Sequence, residues 1–241
     1  GIAMAYLVPD FANPTGLTLS VGARRRHIAL ARSLGVPLIE DAAYTELRYG
    51  GEPVAKMMAL DIADCGSIER SCVIYCGTFS KVICPGLRVG WVVAAEPIIQ
   101  KLVLIKQAAD LNASLINQMV MYRLASTCFE DCRSKAIEMY RSRRDAMLGA
   151  LKSHFAGRAT WSNPDGGLFV WMTLANDVDS AALLKVALAD QNVAFVPGAG
   201  FYSDDAGCNK LRLSFSQNSP ERIAEGVRRL AMALDTFMAA R

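Results

Sequence analysis

The sequence predicts an α/β protein with a mostly parallel sheet, followed by a smaller α+β domain. In the first part, short apolar runs typical of strands alternate with segments of helical periodicity. The helix pattern over residues 20–34 separates two such runs, and a crossover of helical length joins parallel strands. In the last part, strand and helix patterns follow one another between glycine and proline turns. We place the boundary between a domain of residues 1–140 and a domain of residues 141–241.

Composition limits the classes of protein to consider. Hydrophobic residues make up 52% and charged residues 20% of the 241 residues, which is typical of a soluble globular protein. The net charge of +3 is too small to indicate a surface for nucleic acid or for a membrane. The arginine-rich runs at residues 24–26 and 141–144 fall in helical patterns, and we interpret both as solvated helix faces.

The seven cysteines have no metal-ligand layout. Cys128 and Cys132 are spaced for one helix face, and Cys72 and Cys76 for one strand face, without histidines nearby. We therefore predict buried, reduced thiols, no bound metal and a cytoplasmic protein.

The chain opens with a strand pattern over residues 3–8 and continues into a loop with the sequence Asn13-Pro14-Thr15-Gly16. The proline disfavours a helical conformation at Asn13 and predicts an extended one. From this stretch alone, Asn13 is either a turn residue that satisfies its own backbone or a polar group presented to a ligand.

An acidic pair follows the strand pattern at residues 36–39, with Asp41 at its carboxyl end and Tyr44 three residues later. Ligands of parallel α/β sheets collect at the carboxyl ends of the strands. Asp41 is thus a candidate ligand-binding acid, although an acid after a strand can also cap the next helix. Both interpretations stay open at this point.

The most informative stretch is residues 77–90, where a single lysine lies between two apolar strand patterns that we predict to be buried. Lys81 follows the hydroxyl residues Thr78 and Ser80, and Arg88 comes seven residues further on. Hydroxyls and a guanidinium beside an amine suit a phosphate held next to a nucleophile, which points to pyridoxal 5'-phosphate (PLP). The alternative is a lysine with a structural role.

The rest of the chain predicts further helices and strands. Helices are predicted over residues 96–110, 114–126, 130–154, 180–190 and from Pro220 onward, and strands over residues 168–174, 193–196 and 211–216. Arg212 lies in the last of these strands, on the face that it shares with Ser214 and Ser216. The pattern alone is explained equally well by an exposed strand arginine.

Five features together resemble a known family. They are NPTG at 13–16, Asp41 with Tyr44, TFSK at 78–81, Arg88, and RLSFS at 212–216. In this order they resemble the class I and II aminotransferases of PLP fold type I, particularly the 2-aminoadipate-type and broad-specificity branch. The resemblance covers essentially all of the chain. It implies a homodimeric enzyme that uses PLP to move an amino group between an amino acid and a 2-oxo acid.

The resemblance also implies roles for the residues nearest the chemistry. Lys81 would bind the cofactor aldehyde covalently and later act as the acid and base that moves a proton. Asp41 would pair with the pyridine nitrogen and keep it protonated. Asn13 and Tyr44 would donate hydrogen bonds to the phenolate oxygen of the ring.

The remaining roles concern two anionic groups, the cofactor phosphate and the substrate carboxylate. Thr78, Ser80 and Arg88 would hold the cofactor phosphate, Arg88 through charge-assisted hydrogen bonds. Arg212 would bind the substrate carboxylate through its planar fork, with Asn13 beside it.

Two parts of the family pattern have no counterpart in this sequence: the glycine- and serine-rich turn at the phosphate, and the aromatic residue that stacks on the ring. We therefore expect a large domain that is incomplete at its N-terminal side, and a chain that binds PLP weakly by itself and transaminates little. Two alternatives to an aminotransferase stay open. One is the aminotransferase-like body of a transcription regulator, and the other is a PLP-dependent lyase or decarboxylase.

Overall fold

A computed structural model describes residues 1–240. They form two compact units, and each is described by itself. The first unit contains residues 1–10 and 18–136, and the second contains residues 11–17 and the chain from residue 137 onward.

The elements are numbered in chain order. In the part of the chain described, the strands are β1 (Ala5–Leu7), β2 (Leu38–Asp41), β3 (Val73–Thr78), β4 (Gly90–Val93), β5 (Thr160–Trp161), β6 (Phe169–Thr173), β7 (Val196–Pro197) and β8 (Lys210–Ser214). The helices are α1 (Val21–Leu34), α2 (Met57–Cys65), α3 (Glu96–Ala109), α4 (Leu115–Phe155), α5 (Ser180–Gln191) and α6 (Pro220–Ala239).

The first unit is built on a sheet with the strand order β1-β2-β3-β4. β1 pairs with β2 and β2 with β3 in parallel, whereas β4 is antiparallel to β3. The predicted α/β class with a mostly parallel sheet is therefore confirmed. Because β1, β2 and β3 run in the same direction, their carboxyl ends meet at one edge of the sheet.

Helix α1 has the bounds that its capping residues predict. Ser20 Oγ accepts a hydrogen bond from Ala23 N at 3.3 Å, and Gly35 takes the left-handed conformation at φ 64° that ends the helix. The apolar face of α1 packs into a core with residues of β2, α2 and β3. This core includes Ile28, Ala31, Leu38, Met57 and Val73.

Arg24 corrects the interpretation of the arginine run in α1 as a solvated face. Its side chain is fully buried, and its Nη2 donates to Asp10 Oδ1 at 2.7 Å. Its other nitrogens donate to the main-chain carbonyls of Leu19 and Ala55. Since a buried guanidinium must find acceptors for its fixed fork of donors, Arg24 has a structural role in this unit.

The strand after the lysine stretch corrects a second expectation. It was predicted to be buried, but Trp91, Val92 and Val93 of β4 are between 36% and 41% exposed. The physical reason is its place in the sheet, because β4 is the edge strand and pairs only with β3 among the described residues.

The second unit contains a sheet with the order β5-β6-β8-β7, in which all the neighbouring pairs are antiparallel. Helices α5 and α6 pack against each other. α6 begins at Pro220, as predicted, with Ser219 as its N-cap, and Ser219 Oγ accepts from Arg222 N at 3.4 Å. Its buried face is formed by Ile223, Val227, Leu230, Ala231, Ala233 and Leu234. The predicted smaller α+β part is thus confirmed.

Helix α4 runs through the region where two helices were predicted. Cys128 interrupts it with the non-helical angles φ −141° and ψ 18°, so two helical segments meet there. The division between the two units falls within α4, and a domain boundary at residue 140 stays a prediction. Between residues 1 and 240, no helix combines the length and the apolar character that crossing a bilayer requires.

All seven cysteines lie in the described part of the chain and are free thiols. They are less buried than predicted, since six are half-buried and Cys208 is exposed. Within the same part of the chain, no group of three or more His, Cys, Asp and Glu side chains is arranged to hold a metal ion.

Candidate functional site

A cavity of about 440 Å³ opens in the first unit, at the edge of the sheet where the parallel strands end. It is lined by Tyr6, Ile39, Asp41, Ala43, Cys76, Gly77, Thr78, Ser80, Lys81 and Arg88. Five of the predicted site residues are among them, namely Asp41, Thr78, Ser80, Lys81 and Arg88. The parallel register explains this grouping, because it brings segments that are far apart in the sequence to one edge.

Asp41 is the acid of the cavity, and both of its oxygens accept hydrogen bonds. Ala43 N donates to Oδ1 at 3.0 Å, and the Tyr6 hydroxyl donates to Oδ2. Asp41 pairs across the sheet with Cys76 of β3, whose pKa is raised by burial and by the charge of Asp41. The sheet therefore presents a carboxylate in a fixed orientation at the cavity.

Lys81 lies in a tight turn directly after β3. The carbonyl oxygen of Phe79 accepts from Val82 N at 3.3 Å and from Ile83 N at 2.9 Å, which closes the turn around the lysine. The Phe79 ring packs on Trp91 with a centroid distance of 4.6 Å. A half-buried amine is thereby presented to the cavity from a backbone that is held on both sides.

Gly77 allows the close approach of the indole under this turn. A Cβ atom at residue 77 would lie 2.3 Å from Trp91 Cε2, which is closer than any carbon contact permits. The strand before the lysine and the strand after it can pack together here only because one of them carries no side chain at this position.

The hydroxyl residues and the arginine form the cationic end of the cavity. Thr78 Oγ1 donates to Ser80 Oγ at 2.9 Å and accepts from Ser80 N at 3.1 Å. Arg88 takes a left-handed conformation at φ 54°, and its Nη1 donates to Pro85 O at 3.2 Å. Together with Lys81, these groups provide two positive charges and several donors, as an oxyanion ligand requires.

Tyr44 is the one predicted residue of the first unit that does not line the cavity. It is buried, at 9% exposure, in the turn that follows the cavity-lining Ala43. Its predicted contact with a ring oxygen stays a prediction.

Arg212 and Asn13 meet in the second unit, 199 positions apart in the sequence. Arg212 Nη1 donates to Asn13 Oδ1 at 2.6 Å. The guanidinium carbon lies 4.3 Å from the ring centre of Phe169 and 5.5 Å from that of Phe201. The arginine predicted to bind a carboxylate is therefore oriented by an amide oxygen and two aromatic rings.

Gly16 explains how the loop that carries Asn13 reaches this position. It has φ +70°, and a Cβ atom there would lie 2.8 Å from the carbonyl oxygen of Phe169. The loop is closed by hydrogen bonds from Gly16 N to Ala12 O at 2.6 Å and from Ala12 N to Leu17 O at 2.9 Å. A residue with a side chain would strain the loop and push it away from β6.

Several residues of these two sites were missed in the sequence. Tyr6 and Cys76 lie in apolar strand runs, where nothing marks them chemically. Only the register gives the signal, because Tyr6 pairs with Ile39 and Asp41 pairs with Cys76. Phe169 was missed for the same reason, since β6 and β8 meet through pairing and not through sequence proximity. Phe201 lies in the short turn Gly198–Phe201 before β8, and only its contact with Arg212 in the folded chain marks it.

Comparison with known proteins identifies the class to which this fold and this site belong. The family model for "Aminotransferase class I and II" matches residues 7–230. The chain therefore belongs to the class I and II aminotransferase family.

Individual relatives agree with this assignment. "Aromatic-amino-acid aminotransferase 1" of Thermococcus litoralis is 39% identical over 238 residues, which are 98% of this chain and 55% of that protein. The solved structure of LysN, the α-aminoadipate aminotransferase of Thermus thermophilus, was determined in complex with N-(5'-phosphopyridoxyl)-L-leucine. It matches with a TM-score of 0.91 at 39% identity, covering 99% of this chain and 60% of that chain.

A relative of another kind is the "Uncharacterized HTH-type transcriptional regulator YdfD" of Bacillus subtilis, 32% identical over 97% of this chain and 47% of that protein. The chain thus spans about half to three fifths of the length of the relatives it matches.

Proposed function

We propose that this protein is a PLP-dependent aminotransferase that moves an amino group between an amino acid and a 2-oxo acid. The observation that carries the proposal is the convergence of Asp41, Lys81, Arg88 and the Thr78–Ser80 hydroxyl pair on one cavity at the carboxyl end of a parallel sheet. The family membership of the chain supports the same chemistry.

The donor set of the cavity fits PLP group by group. The phosphate needs a cation and hydrogen-bond donors, which Arg88, Thr78 and Ser80 offer. The pyridine nitrogen needs an anion that keeps it protonated, and Asp41 is the acid that lines the cavity. The aldehyde needs an amine, and Lys81 supplies it. When bound, the cofactor provides an electron sink for the charge that develops at the substrate Cα.

The chain's own groups then have separate tasks. Lys81 Nζ would act as the base that takes the proton from the substrate Cα and as the acid that gives it back on the cofactor side of the amino nitrogen. Asp41 would keep a proton at the ring nitrogen, so that negative charge would be stabilised where it develops. Asn13 and Tyr44 would donate hydrogen bonds to the phenolate oxygen, as the family resemblance implies.

The substrates are an amino acid and a 2-oxo acid, and both carry a carboxylate next to the reacting carbon. Arg212 binds this carboxylate with its planar fork, and Asn13 assists it. The contacts of Arg212 with Asn13, Phe169 and Phe201 support this role, because they fix the guanidinium before a substrate arrives. We further propose a homodimer that works in the cytoplasm.

A transamination assay tests the proposal. The full-length gene product is incubated with PLP, 2-oxoglutarate and either 2-aminoadipate or an aromatic amino acid, and glutamate formation is measured. We expect stoichiometric formation of glutamate and of the new 2-oxo acid. Release of carbon dioxide or of ammonia instead would favour a decarboxylase or a lyase. Binding of PLP without any turnover of these donors would favour the effector-binding body of a transcription regulator, in keeping with the relative named above.

A further inference from the structure

We propose that Tyr6 is a positioning residue for Asp41: its hydroxyl holds the Asp41 carboxylate in the orientation that the ring nitrogen of the cofactor requires. This inference rests on the proposed function and deepens it. It concerns a residue on β1 that lies outside the five features of the family resemblance.

The contact follows from the parallel register of the first two strands. Tyr6 is the middle residue of β1 and pairs with Ile39 of β2, so its side chain points to the same face as those of Ile39 and Asp41. From there the Tyr6 hydroxyl donates to Asp41 Oδ2. Ala43 N donates to the other oxygen at 3.0 Å.

Two donors in different directions determine the orientation of the carboxylate. The Ala43 donor is part of the backbone, and it binds only Oδ1. Without the Tyr6 hydroxyl, the carboxylate could swing about χ2 over the range that the single hydrogen bond to Ala43 N tolerates, because that torsion has a broad energy profile. The second donor therefore decides where the plane of the carboxylate lies.

The exposure of the Tyr6 ring distinguishes a positioning role from a packing role. The residue is 58% exposed, so its ring is not part of the apolar core. Its hydroxyl nevertheless ends in the cavity, beside Asp41. Burial of the hydroxyl, together with the hydrogen bond to Asp41 and its charge, raises the pKa of Tyr6. The phenol thus remains a neutral donor over the whole range in which an enzyme works.

The variant Tyr6→Phe isolates the hydroxyl, because it keeps the exposed ring. A hydrogen bond to a charged group, when lost, changes an equilibrium or a rate by about 10- to 100-fold. We therefore expect the Kd of PLP to rise and kcat to fall by about 10-fold or more. KM for the amino acid should change little, since Tyr6 does not belong to the unit that carries Arg212.

A spectroscopic measurement distinguishes positioning from general damage. The ¹⁵N resonance of PLP labelled at its ring nitrogen reports whether that nitrogen carries a proton. In Tyr6→Phe the proton should be lost at a lower pH than in wild type. The matched control is Tyr75→Phe, which removes a hydroxyl from the same sheet on the opposite face. Tyr75 pairs with Glu40 and lies outside the cavity lining, so its variant should retain the wild-type resonance and kcat.

Three outcomes separate this inference from the proposed function. A shifted ring-nitrogen titration and weaker PLP binding in Tyr6→Phe alone would support the positioning role. Wild-type behaviour of Tyr6→Phe in a protein that binds PLP and transaminates would overturn the inference and leave the proposed function intact. A wild-type protein that binds no PLP, whether covalently through a lysine or non-covalently, would overturn both the inference about Tyr6 and the proposed function.

Discussion

The two faces of the first sheet place adjacent carboxylates in opposite situations. Glu40 and Asp41 are consecutive residues of β2, and their side chains point to opposite faces. Glu40 is 1% exposed and accepts from Met57 N at 2.8 Å and Met58 N at 2.9 Å, where α2 begins. Asp41 lines the cavity and accepts from one backbone donor and one tyrosine hydroxyl.

The surroundings of an acid, and not its type, therefore decide what it does. Both oxygens of Glu40 are used to satisfy the first N–H groups of a helix, so Glu40 stabilises the fold. Burial raises its pKa, and the two backbone hydrogen bonds oppose this shift only in part. Asp41 remains accessible to a ligand, so its charge is available for chemistry. We therefore expect substitutions of Asp41 to affect activity and substitutions of Glu40 to affect stability.

The largest effect is expected for Asp41→Asn. This variant keeps the shape of the side chain but removes the charge that we propose holds a proton on the ring nitrogen. We expect kcat for transamination to fall by at least about 100-fold, as removal of such electrostatic stabilisation does. The Tm should change little. Asp64→Asn on the exposed side of α2 is the matched control and should retain full activity. Near-normal turnover by Asp41→Asn would break the comparison.

The next effect is expected for Glu40→Ala, and it concerns stability. The change leaves the N–H groups of Met57 and Met58 without their acceptor, which destabilises the native state, but it also removes a buried carboxylate, which offsets part of that loss. We expect the free energy of unfolding to fall by about 2 kcal/mol in total. Denaturant unfolding measures this loss. Glu52→Ala, at an exposed position, should unfold like wild type. A fully stable Glu40→Ala protein would contradict the structural role.

Glu40 also predicts a dependence of stability on pH. Its native-state pKa is raised above the ordinary value of 4.5, so the native state binds this proton more tightly than the unfolded chain does. The contribution of Glu40 to stability is therefore fully present below pH 4.5 and declines as the pH rises through the raised pKa. Unfolding experiments across this window should show that the difference between wild type and Glu40→Ala becomes smaller as the pH increases.

The smallest effect is expected in the second unit, for Arg212→Leu. The variant removes the guanidinium that we propose binds the substrate carboxylate. KM should therefore rise for amino acids and 2-oxo acids alike, by about 10-fold or more, because one charge-assisted contact is lost. The Kd of PLP should stay within about twofold. Lys210→Met removes a positive charge from the same strand and serves as control. Loss of PLP from Arg212→Leu would instead assign this arginine to the cofactor or to the fold.

Much of the fold could be predicted because its signals are local. Ser20, Gly35, Ser219 and Pro220 bound helices through capping, which depends on neighbouring residues alone. The acid at the end of β2 and the lysine after β3 could be predicted as candidate site residues, because the carboxyl ends of parallel strands are where ligands bind.

The predictions that were wrong or missing concern features that depend on tertiary contacts. Arg24 lies at helical spacing from Ile28 and Ala31 on the buried face of α1, but a charged residue is stable there only because Asp10 and nearby main-chain carbonyl groups accept its hydrogen bonds. The exposure of β4 depends on its place at the edge of the sheet. Tyr6 was missed because its partner is 35 positions away and meets it through strand register.

The most direct test of the central claim is to identify the lysine that binds PLP. The protein is mixed with PLP, reduced with borohydride and digested, and the peptides are mapped by mass spectrometry. We expect one phosphopyridoxyl group, on the peptide that contains Lys81, and none on the Lys81→Ala protein treated in the same way. Labelling of a different lysine, or equal labelling of Lys81→Ala, would contradict it.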